Sequence, residues 1–350
     1  VIKYLNEKIM NSISINQKNN NFEIAGLFSL ALRLVIGWTY FSAFWRRLFL
    51  ANKLDPEAAG YIGEKFNHFL PNALGIKPMI EFMVTNPEVL WWAMTIFTIV
   101  EGIVGLLLMF GFFSRLMSIG VFGLAMGILL GSGWIGTTCL DEWQIGILGI
   151  AGGFTLFFTG SAQYSVDYWL MKNKKAITQN KWFSWLASGN LPLTEKQTSK
   201  SFLVGSLIIL SLSLYTNQVF HGGVWGTLHN KSVKPKLELS KLQLNQNQLS
   251  FQVYRVEGVD VYGSFLIGIE VIDEKGESIY KLDGEQLSSF PKEQIDNKYI
   301  AKVKSGAHSL IIPLGAKATI NLKSEKFKHL SEGNFKLKLT DISGAEWKIE

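Results

Sequence analysis

The chain has 350 residues and a formal net charge of +6, and hydrophobic residues make up 48% of it. So modest a charge, without a compact cluster of Lys, Arg and interleaved aromatic residues, argues against nucleic-acid binding. The single cysteine excludes an internal disulfide bond and every cysteine-rich metal motif. Nearly all long apolar runs lie before residue 221, so we expect a membrane part followed by a soluble part.

Residues 1–23 are polar and lack the apolar core and cleavage site of a signal peptide, so we expect a cytoplasmic tail. After this tail, five stretches come close to the roughly 20 residues that a helix needs to cross a bilayer. These stretches are residues 24–49, 88–111, 114–131, 143–159 and 202–220. We therefore predict a four-helix membrane domain over residues 24–170, a loop over 171–201 and a fifth membrane helix over 202–220.

The orientation follows from Lys and Arg in the short loops, because cytoplasmic loops carry an excess of them. These residues concentrate in the amino-terminal tail, in the loop between the second and third spans, and in residues 171–201. With five spans all three segments fall on one side. We therefore predict an inner-membrane protein with a cytoplasmic amino terminus and with residues 221–350 outside the membrane.

From about residue 236 the pattern changes to an alternation of apolar and polar residues. At least six short stretches of this kind follow, separated by turn signals such as Asn-Gln and Ser-Gly. Short alternating strands without a helical pattern indicate an antiparallel sandwich. The predicted fold is thus a membrane helical bundle followed by an all-β antiparallel sandwich over residues 221–350.

Two ionisable residues lie inside the predicted spans, Arg33 in the first and Glu101 in the second. Counted from the inner ends of the spans, both lie at a depth of roughly 15 Å. Because an unpaired charge at that depth costs several kcal/mol, we predict an ion pair between them. Such a pair is either part of a quinone or proton site or a clamp between two helices.

Arg46 and Arg47 close the first span at the predicted outer surface, beside Trp45 and Phe49. One interpretation is that they mark the membrane interface with their long side chains. Positive charge on the outer side runs against the usual trend, so the other interpretation is a site for a small anion.

Three stretches of the membrane part resemble DoxD, a small subunit of thiosulfate:quinone oxidoreductase: GWTYFSAFWRRL, EGIVGLLLMFG and GSGWIGTTCLDEWQIG. The first two also fit the wider DoxX-like four-helix membrane family. Three later stretches resemble DoxA, the second small subunit: HGGVWGTLHN, VYRVEGVDVYGSFLIGIEVID and NKYIAKVKSGAHSLIIPLGAKA. Over residues 24–350 the chain thus resembles a DoxD–DoxA fusion.

The resemblance implies an enzyme that oxidises thiosulfate to tetrathionate outside the cytoplasmic membrane and passes the electrons to a membrane quinone. Quinone is then an electron-accepting co-substrate, and the lipid bilayer is a partner. The sequence contains no flavin, haem or metal motif, and the resemblance requires none. A homo-oligomer and a larger membrane complex both stay open.

Cys139 is the only soft nucleophile in the chain, and it precedes the adjacent acids Asp141 and Glu142. A thiolate could form a mixed sulfur adduct with thiosulfate if its pKa were lowered. The two acids would raise that pKa unless Arg46 or Arg47 compensates. The alternative is a small, packed residue at the membrane interface.

Asp141 and Glu142 directly precede the fourth predicted span, where carboxylates favour the positive end of a helix. They either cap this helix or take up protons as quinone is reduced, with Trp134 and Trp143 as flat apolar walls. His221 and His229 follow the fifth span. They are either proton carriers near the substrate or part of a glycine-rich joint, and their spacing fits no zinc motif.

These residues predict a substrate site between the sandwich and the 131–143 turn, lined by Arg46, Arg47, Cys139, Asp141 and Glu142. The alternative is a non-catalytic membrane module that assembles partner proteins through its sandwich, since a fold does not determine a function.

Overall fold

The computed structural model describes residues 23–58, 60–136, 141–259, 264–331 and 333–350. The chain divides into two compact units. The first, which we call the helical unit, consists of Val1–Asn52, Thr95–Leu129 and Gln144–Thr216. The second, which we call the β unit, consists of Lys53–Met94, Leu130–Trp143 and Asn217–Glu350.

Helices dominate the chain up to residue 220. Residues 23–28 are helical, and a π-helical turn, Arg46–Leu50, follows α1. The α-helices are α1 (Leu30–Trp45), α2 (Ile62–Phe69), α3 (Lys77–Thr85), α4 (Pro87–Phe110), α5 (Ser114–Ser132), α6 (Asp141–Thr159), α7 (Val166–Lys172), α8 (Lys181–Leu186) and α9 (Glu195–Phe220).

Among the described helices, three are long and apolar enough to cross a membrane: α4, α5 and α9. They correspond to the second, third and fifth predicted spans. Helix α1 has 16 residues, and α6 has 19 residues but begins with Asp141 and Glu142. The prediction of a helical membrane part followed by an antiparallel β domain is confirmed, whereas five crossings stay a prediction.

Glycines set the closest helix contacts in the helical unit. A Cβ atom added to Gly105 would lie 2.4 Å from the backbone nitrogen of Phe41, and one added to Gly37 would lie 2.8 Å from the Gly105 carbonyl oxygen. Helices α5 and α6 approach similarly, since a Cβ on Gly153 would lie 2.9 Å from the Ser118 carbonyl oxygen. Small residues let helix backbones pack closely, as in membrane bundles generally.

The described residues of the β unit form ten strands in two antiparallel sheets. The strands are β1 (Lys236–Asn245), β2 (Gln248–Glu257), β3 (Ser264–Asp273), β4 (Ser278–Asp283), β5 (Ile295–Asn297), β6 (Lys304–Ser305), β7 (Leu310–Ile312), β8 (Lys317–Lys323), β9 (Phe335–Asp341) and β10 (Glu346–Ile349). One sheet has the order β1-β2-β8-β5, and the other has β10-β9-β3-β7-β6, with β4 also paired to β3.

The two sheets enclose one hydrophobic core. Phe251 and Ile320 from one sheet and Ile269 and Leu337 from the other are all fully buried in the same cluster. Alternate residues of these strands point inward because side chains alternate between the two faces of a strand. The predicted sandwich is therefore present, and its core follows the period-two pattern of the sequence.

The β unit also includes segments that precede the sandwich in sequence by more than 200 residues. Buried Asn67 donates from Nδ2 to the Gly315 carbonyl oxygen at 2.8 Å and accepts from the Ala301 backbone nitrogen at 3.1 Å. Tyr299 donates its hydroxyl proton to Glu81 at 2.5 Å. Residues 53–94 are thus held by the sandwich, so this unit is larger than the predicted domain over 221–350.

Candidate functional site

The predicted site residues lie in both units. Arg33, Arg46, Arg47 and Glu101 belong to the helical unit, whereas Trp134, Glu142, Trp143, His221 and His229 belong to the β unit. Cys139 lies outside the described residues. Asp141 is the first residue of α6. We describe their contacts first within the helical unit and then within the β unit.

The predicted Arg33–Glu101 ion pair is wrong, because Glu101 pairs with Arg47. Arg47 Nη1 lies 2.5 Å from Glu101 Oε2 and 2.9 Å from Thr98 Oγ1. Glu101 is 3% exposed, and the guanidinium of Arg47 also lies 5.9 Å from the centre of the Phe97 ring. The two charges are therefore paired in a largely buried position, which favours the clamp over a free proton site.

The register between α1 and α4 explains the error. Gly37 lies against Gly105 and Phe44 lies against Gly102, so the two antiparallel helices pair further along α1 than the ends of the apolar runs suggest. Along α1, the 14 residues from Arg33 to Arg47 correspond to about four turns. The contacts of small residues set the register of α1 against α4, and the ends of the apolar runs do not show where these contacts lie.

Arg33 lies elsewhere in the helical unit. It is 2% exposed, and its Nη2 donates to the Tyr164 carbonyl oxygen at 2.9 Å. Its Nε and Nη1 are buried and have no hydrogen-bond partner within the described part of the chain. Arg33 and Glu101, which we predicted to share a quinone site, are therefore not in contact.

Arg46 is exposed, and its Nε donates to the Ser42 carbonyl oxygen at 3.2 Å. It forms no ion pair with any described acidic residue. Trp45 and Phe49 beside it stack with ring centres 4.6 Å apart and are both exposed. Arg46 is therefore a cation available to an anion, whereas the charge of Arg47 is balanced by Glu101.

Trp134 and His221 anchor the described part of the 131–143 turn. Trp134 is fully buried, and its indole nitrogen donates to the Phe69 carbonyl oxygen at 3.1 Å. His221 is 2% exposed, and its Nε2 lies 2.9 Å from the Gly133 carbonyl oxygen. Since a carbonyl only accepts, Nε2 carries the proton and Nδ1 keeps a bare lone pair.

The lone pair of His221 has no donor. Nδ1 is buried and has no hydrogen-bond partner among the residues that the structure describes. Burial lowers the pKa of His221 below its ordinary value; the hydrogen bond to Gly133 opposes this shift, and the charge of His229 adds to it. His221 is thus a neutral imidazole at neutral pH with one basic nitrogen facing no partner.

A glycine-rich loop runs from His221 to His229. The His229 backbone nitrogen donates to the His221 carbonyl oxygen at 2.8 Å, which closes the loop. Gly222 has a φ of +69°, and a Cβ there would lie 2.0 Å from the Thr227 carbonyl oxygen, so only glycine fits. The loop has a histidine at each of its ends, and its role as a joint stays a prediction.

Hydrogen bonds at Gly136 fix the turn against the segment that follows the loop. The Gly136 nitrogen donates to Ser232 Oγ at 3.0 Å, and Asn230 Nδ2 donates to the Gly136 carbonyl oxygen at 3.0 Å. Ser232 Oγ also donates to this carbonyl oxygen. Gly136, the last described residue before 137–140, is thus bonded through both its nitrogen and its carbonyl oxygen.

Glu142 lies at the start of α6, with one carboxylate oxygen 3.9 Å from Lys65 Nζ of α2. The Glu142 side chain is 28% exposed and the Lys65 side chain 49%, so the attraction is partly screened. Trp143 follows and is half-buried. Sequence reasoning missed Lys65, because nothing in the 51–87 segment indicates which of its residues faces the turn.

This part of the β unit can exchange protons and attract an anion. His221 offers an unpaired basic nitrogen, Glu142 a partly exposed carboxylate, and Lys65 an ammonium group beside it. The described residues contain no group of three or more His, Cys, Asp or Glu side chains that could hold a metal ion.

Two family models match the chain. One, described as the TQO small subunit DoxD, matches residues 28–194. The other, described as the TQO small subunit DoxA, matches residues 220–350. No solved structure matches the chain.

Proposed function

Because the chain belongs to the DoxD and DoxA families of thiosulfate:quinone oxidoreductase (TQO) small subunits, fused in one polypeptide, we propose that it oxidises thiosulfate and reduces a membrane quinone. Two thiosulfate ions form a sulfur–sulfur bond and become tetrathionate, which releases two electrons. The quinone takes up these electrons and two protons to become a quinol. Three helices that can cross a membrane support access to a membrane quinone.

The observation that carries the proposal is the bare nitrogen of His221. Quinone reduction consumes protons, so the enzyme needs groups that pass them to the quinone oxygens. In the proposal His221 Nδ1 and the Glu142 carboxylate serve this purpose. In the proposal Nδ1 first takes up a proton from solvent; because burial lowers the pKa of His221, the protonated ring is a stronger acid than a free imidazolium and passes this proton readily to the quinone oxygen.

Anion attraction is the second requirement, because thiosulfate carries two negative charges. In the proposal Lys65, beside Glu142, provides a cation at the turn. Arg46, in the helical unit, stays a separate candidate for an anion, without an acidic partner in the described residues. Arg47 contributes less than we expected from the sequence, since Glu101 balances its charge. Cys139 stays a candidate for a sulfur adduct.

The test is a purified, detergent-solubilised protein supplied with thiosulfate and a short-chain quinone analogue. We expect ultraviolet absorbance to show thiosulfate-dependent quinone reduction, with one tetrathionate formed per quinol. Sulfate in place of thiosulfate is the control and gives no reduction. If thiosulfate adds nothing to the rate, the non-catalytic membrane module becomes the better account.

The outer location is a separate part of the proposal. It rests on the lysines of residues 171–201, which favour the cytoplasm. A reporter that is active only in the cytoplasm, fused after Glu350, should be inactive. An active reporter would place the β unit inside and would reverse the side on which thiosulfate is oxidised.

A further inference from the structure

A cavity of about 430 Å³ lies in the helical unit, between α1, the end of α4 and α7. Its polar lining consists of Arg33, Tyr164 and Ser165. Its apolar lining includes Leu34, Phe110 and Trp169. The proposed thiosulfate and quinone chemistry does not use this cavity.

Arg33 gives the cavity an unbalanced positive charge. The side chain is 2% exposed, one nitrogen donates to a carbonyl oxygen, and Nε and Nη1 have no partner in the described residues. Asp167 attracts Arg33 from a distance. Its two oxygens, however, already accept from the Phe113 and Ser114 nitrogens and from the Ser114 and Ser188 hydroxyls.

A buried cation without a bonded counter-charge is costly, and a ligand anion would remove that cost. Nε and Nη1 are themselves buried, so a phosphate in the cavity interacts with Arg33 through the positive charge of the guanidinium. The positive charge of Arg33 therefore favours an anion over a neutral quinone carbonyl as the ligand.

The walls of the cavity indicate that this anion carries an apolar tail. Leu34 is 44% exposed, Phe110 57% and Trp169 54%, so the apolar side opens to the surface of the helical unit. A free inorganic anion gains nothing from such walls. An amphiphile gains from both ends, because its head meets Arg33 and its chains lie along the apolar residues.

More positive charge lies at the same end of the unit. Lys175 Nζ is 5.2 Å from the centre of the Trp169 ring, and Lys172 Nζ is 5.9 Å from that of Tyr168. Basic pockets between membrane helices on the cytoplasmic side bind anionic lipid heads. We propose that this cavity binds the phosphate of an anionic phospholipid of the cytoplasmic leaflet, with Arg33 as the central positive charge.

The cavity at Arg33 lies at the opposite end of the first helix from the Arg47–Glu101 pair. The 14 residues between Arg33 and Arg47 correspond to roughly 21 Å along a helix. A quinone at Arg33 would therefore lie far from any chemistry at the Arg47 end of the helix. A structural lipid has no such requirement.

The test measures lipid retained by the detergent-purified full chain after incubation with equal amounts of phosphatidylglycerol and phosphatidylcholine. Native mass spectrometry counts each lipid. Wild type should prefer phosphatidylglycerol by about tenfold, because its head carries a net negative charge, whereas the ammonium group of phosphatidylcholine offsets the charge of the same phosphate. Arg33→Gln should abolish the preference. The control Lys181→Gln removes a lysine of α8 that does not line the cavity, and this variant should keep the preference.

A second variant covers the case in which Arg33→Gln does not fold. Leu34→Trp fills the apolar side while Arg33 remains, and it should lower phosphatidylglycerol retention to the level of phosphatidylcholine. Unchanged retention in either variant overturns the proposal. So does displacement of the lipid by inorganic phosphate, which would identify a free-anion site, or by a quinone analogue, which would identify a quinone site.

Discussion

The Arg47–Glu101 region of the helical unit and the His221 region of the β unit differ in whether their buried polar groups have bonding partners. In the first, Arg47 Nη1 contacts both Glu101 and Thr98, and the two opposite charges balance each other. In the second, Trp134 and the Gly133 carbonyl are satisfied, whereas His221 Nδ1 has no partner among the described residues.

From this difference we infer a structural role for the first region and a chemical role for the second. A buried pair that satisfies itself holds two helices together and leaves nothing for a substrate. A buried basic nitrogen without a donor costs free energy, and native proteins keep such groups where they act. We therefore expect mutations in the first region to change stability and mutations in the second to change turnover.

The largest expected effect is on stability. Glu101→Gln leaves Arg47 buried and unpaired, which should lower the free energy of unfolding by about 3 kcal/mol. A titration with a denaturing detergent measures this change. The matched control, Glu88→Gln, removes an exposed acid from the first turn of the same helix and should cost less than about 1 kcal/mol.

A double-mutant cycle then identifies the partner. Combining Arg47→Gln with Glu101→Gln should show a coupling of more than about 1 kcal/mol, because contacting charges are not additive. Arg33→Gln combined with Glu101→Gln should be additive within about 0.5 kcal/mol. Coupling to Arg33 instead would restore the pair that we predicted from the sequence.

The membrane helices and the sandwich core could be predicted because short stretches of sequence encode them. The apolar runs predicted α4, α5 and α9, because length and composition alone decide whether a helix can cross a membrane. The period-two pattern predicted the sandwich core, since inward residues such as Phe251 and Ile269 alternate with outward ones.

Features that depend on distant contacts could not be predicted. The register of α1 against α4 depends on where Gly37 and Gly105 meet, and one sequence does not say which glycines face each other. Asn67 bonds to Gly315, 248 positions away. The candidate site was only partly foreseeable: the sequence pointed to the turn, His221 and Glu142, whereas the contact of Lys65 with Glu142 joins positions 77 residues apart.

The next effect is on turnover at His221. His221→Gln keeps a donor that can bond to the Gly133 carbonyl oxygen but removes the basic nitrogen. If His221 passes protons to the quinone, kcat should fall by about 10²-fold with little change in the melting temperature. His308→Gln, at an exposed position of the same unit, is the control and should keep the wild-type rate. A normal rate in His221→Gln would make this histidine part of the joint only.

Glu142→Gln should have a smaller effect, because this carboxylate is partly exposed and water can substitute for it. We expect kcat to fall by about tenfold, below the usual range for a buried acid or base. Lys65→Gln should instead raise the thiosulfate KM by a few-fold at unchanged kcat, which is the pattern of lost anion attraction. If Glu142→Gln keeps normal turnover, Glu142 only caps α6.

The smallest effect is the pH dependence of stability. Burial holds the pKa of His221 in the folded protein below its ordinary value of about 6.5. Between these two pKa values the unfolded chain binds more protons than the folded protein, so stability falls as the pH decreases. Above about pH 6.5 the imidazole is neutral in both states, and its contribution is fully present.

Melting temperatures of the full chain between pH 7.5 and 5.5 test this dependence in a range above the ordinary pKa values of carboxyl groups. Wild type should lose more stability on acidification than His221→Gln, which has no group to protonate at this position. His308→Gln, which removes an exposed histidine of the same unit, is the control and should follow the wild type. His229 remains in all three proteins, so the comparison isolates His221. An equal loss in wild type and His221→Gln would mean that Nδ1 finds a donor in solution, and the contrast with the Arg47–Glu101 pair would then disappear.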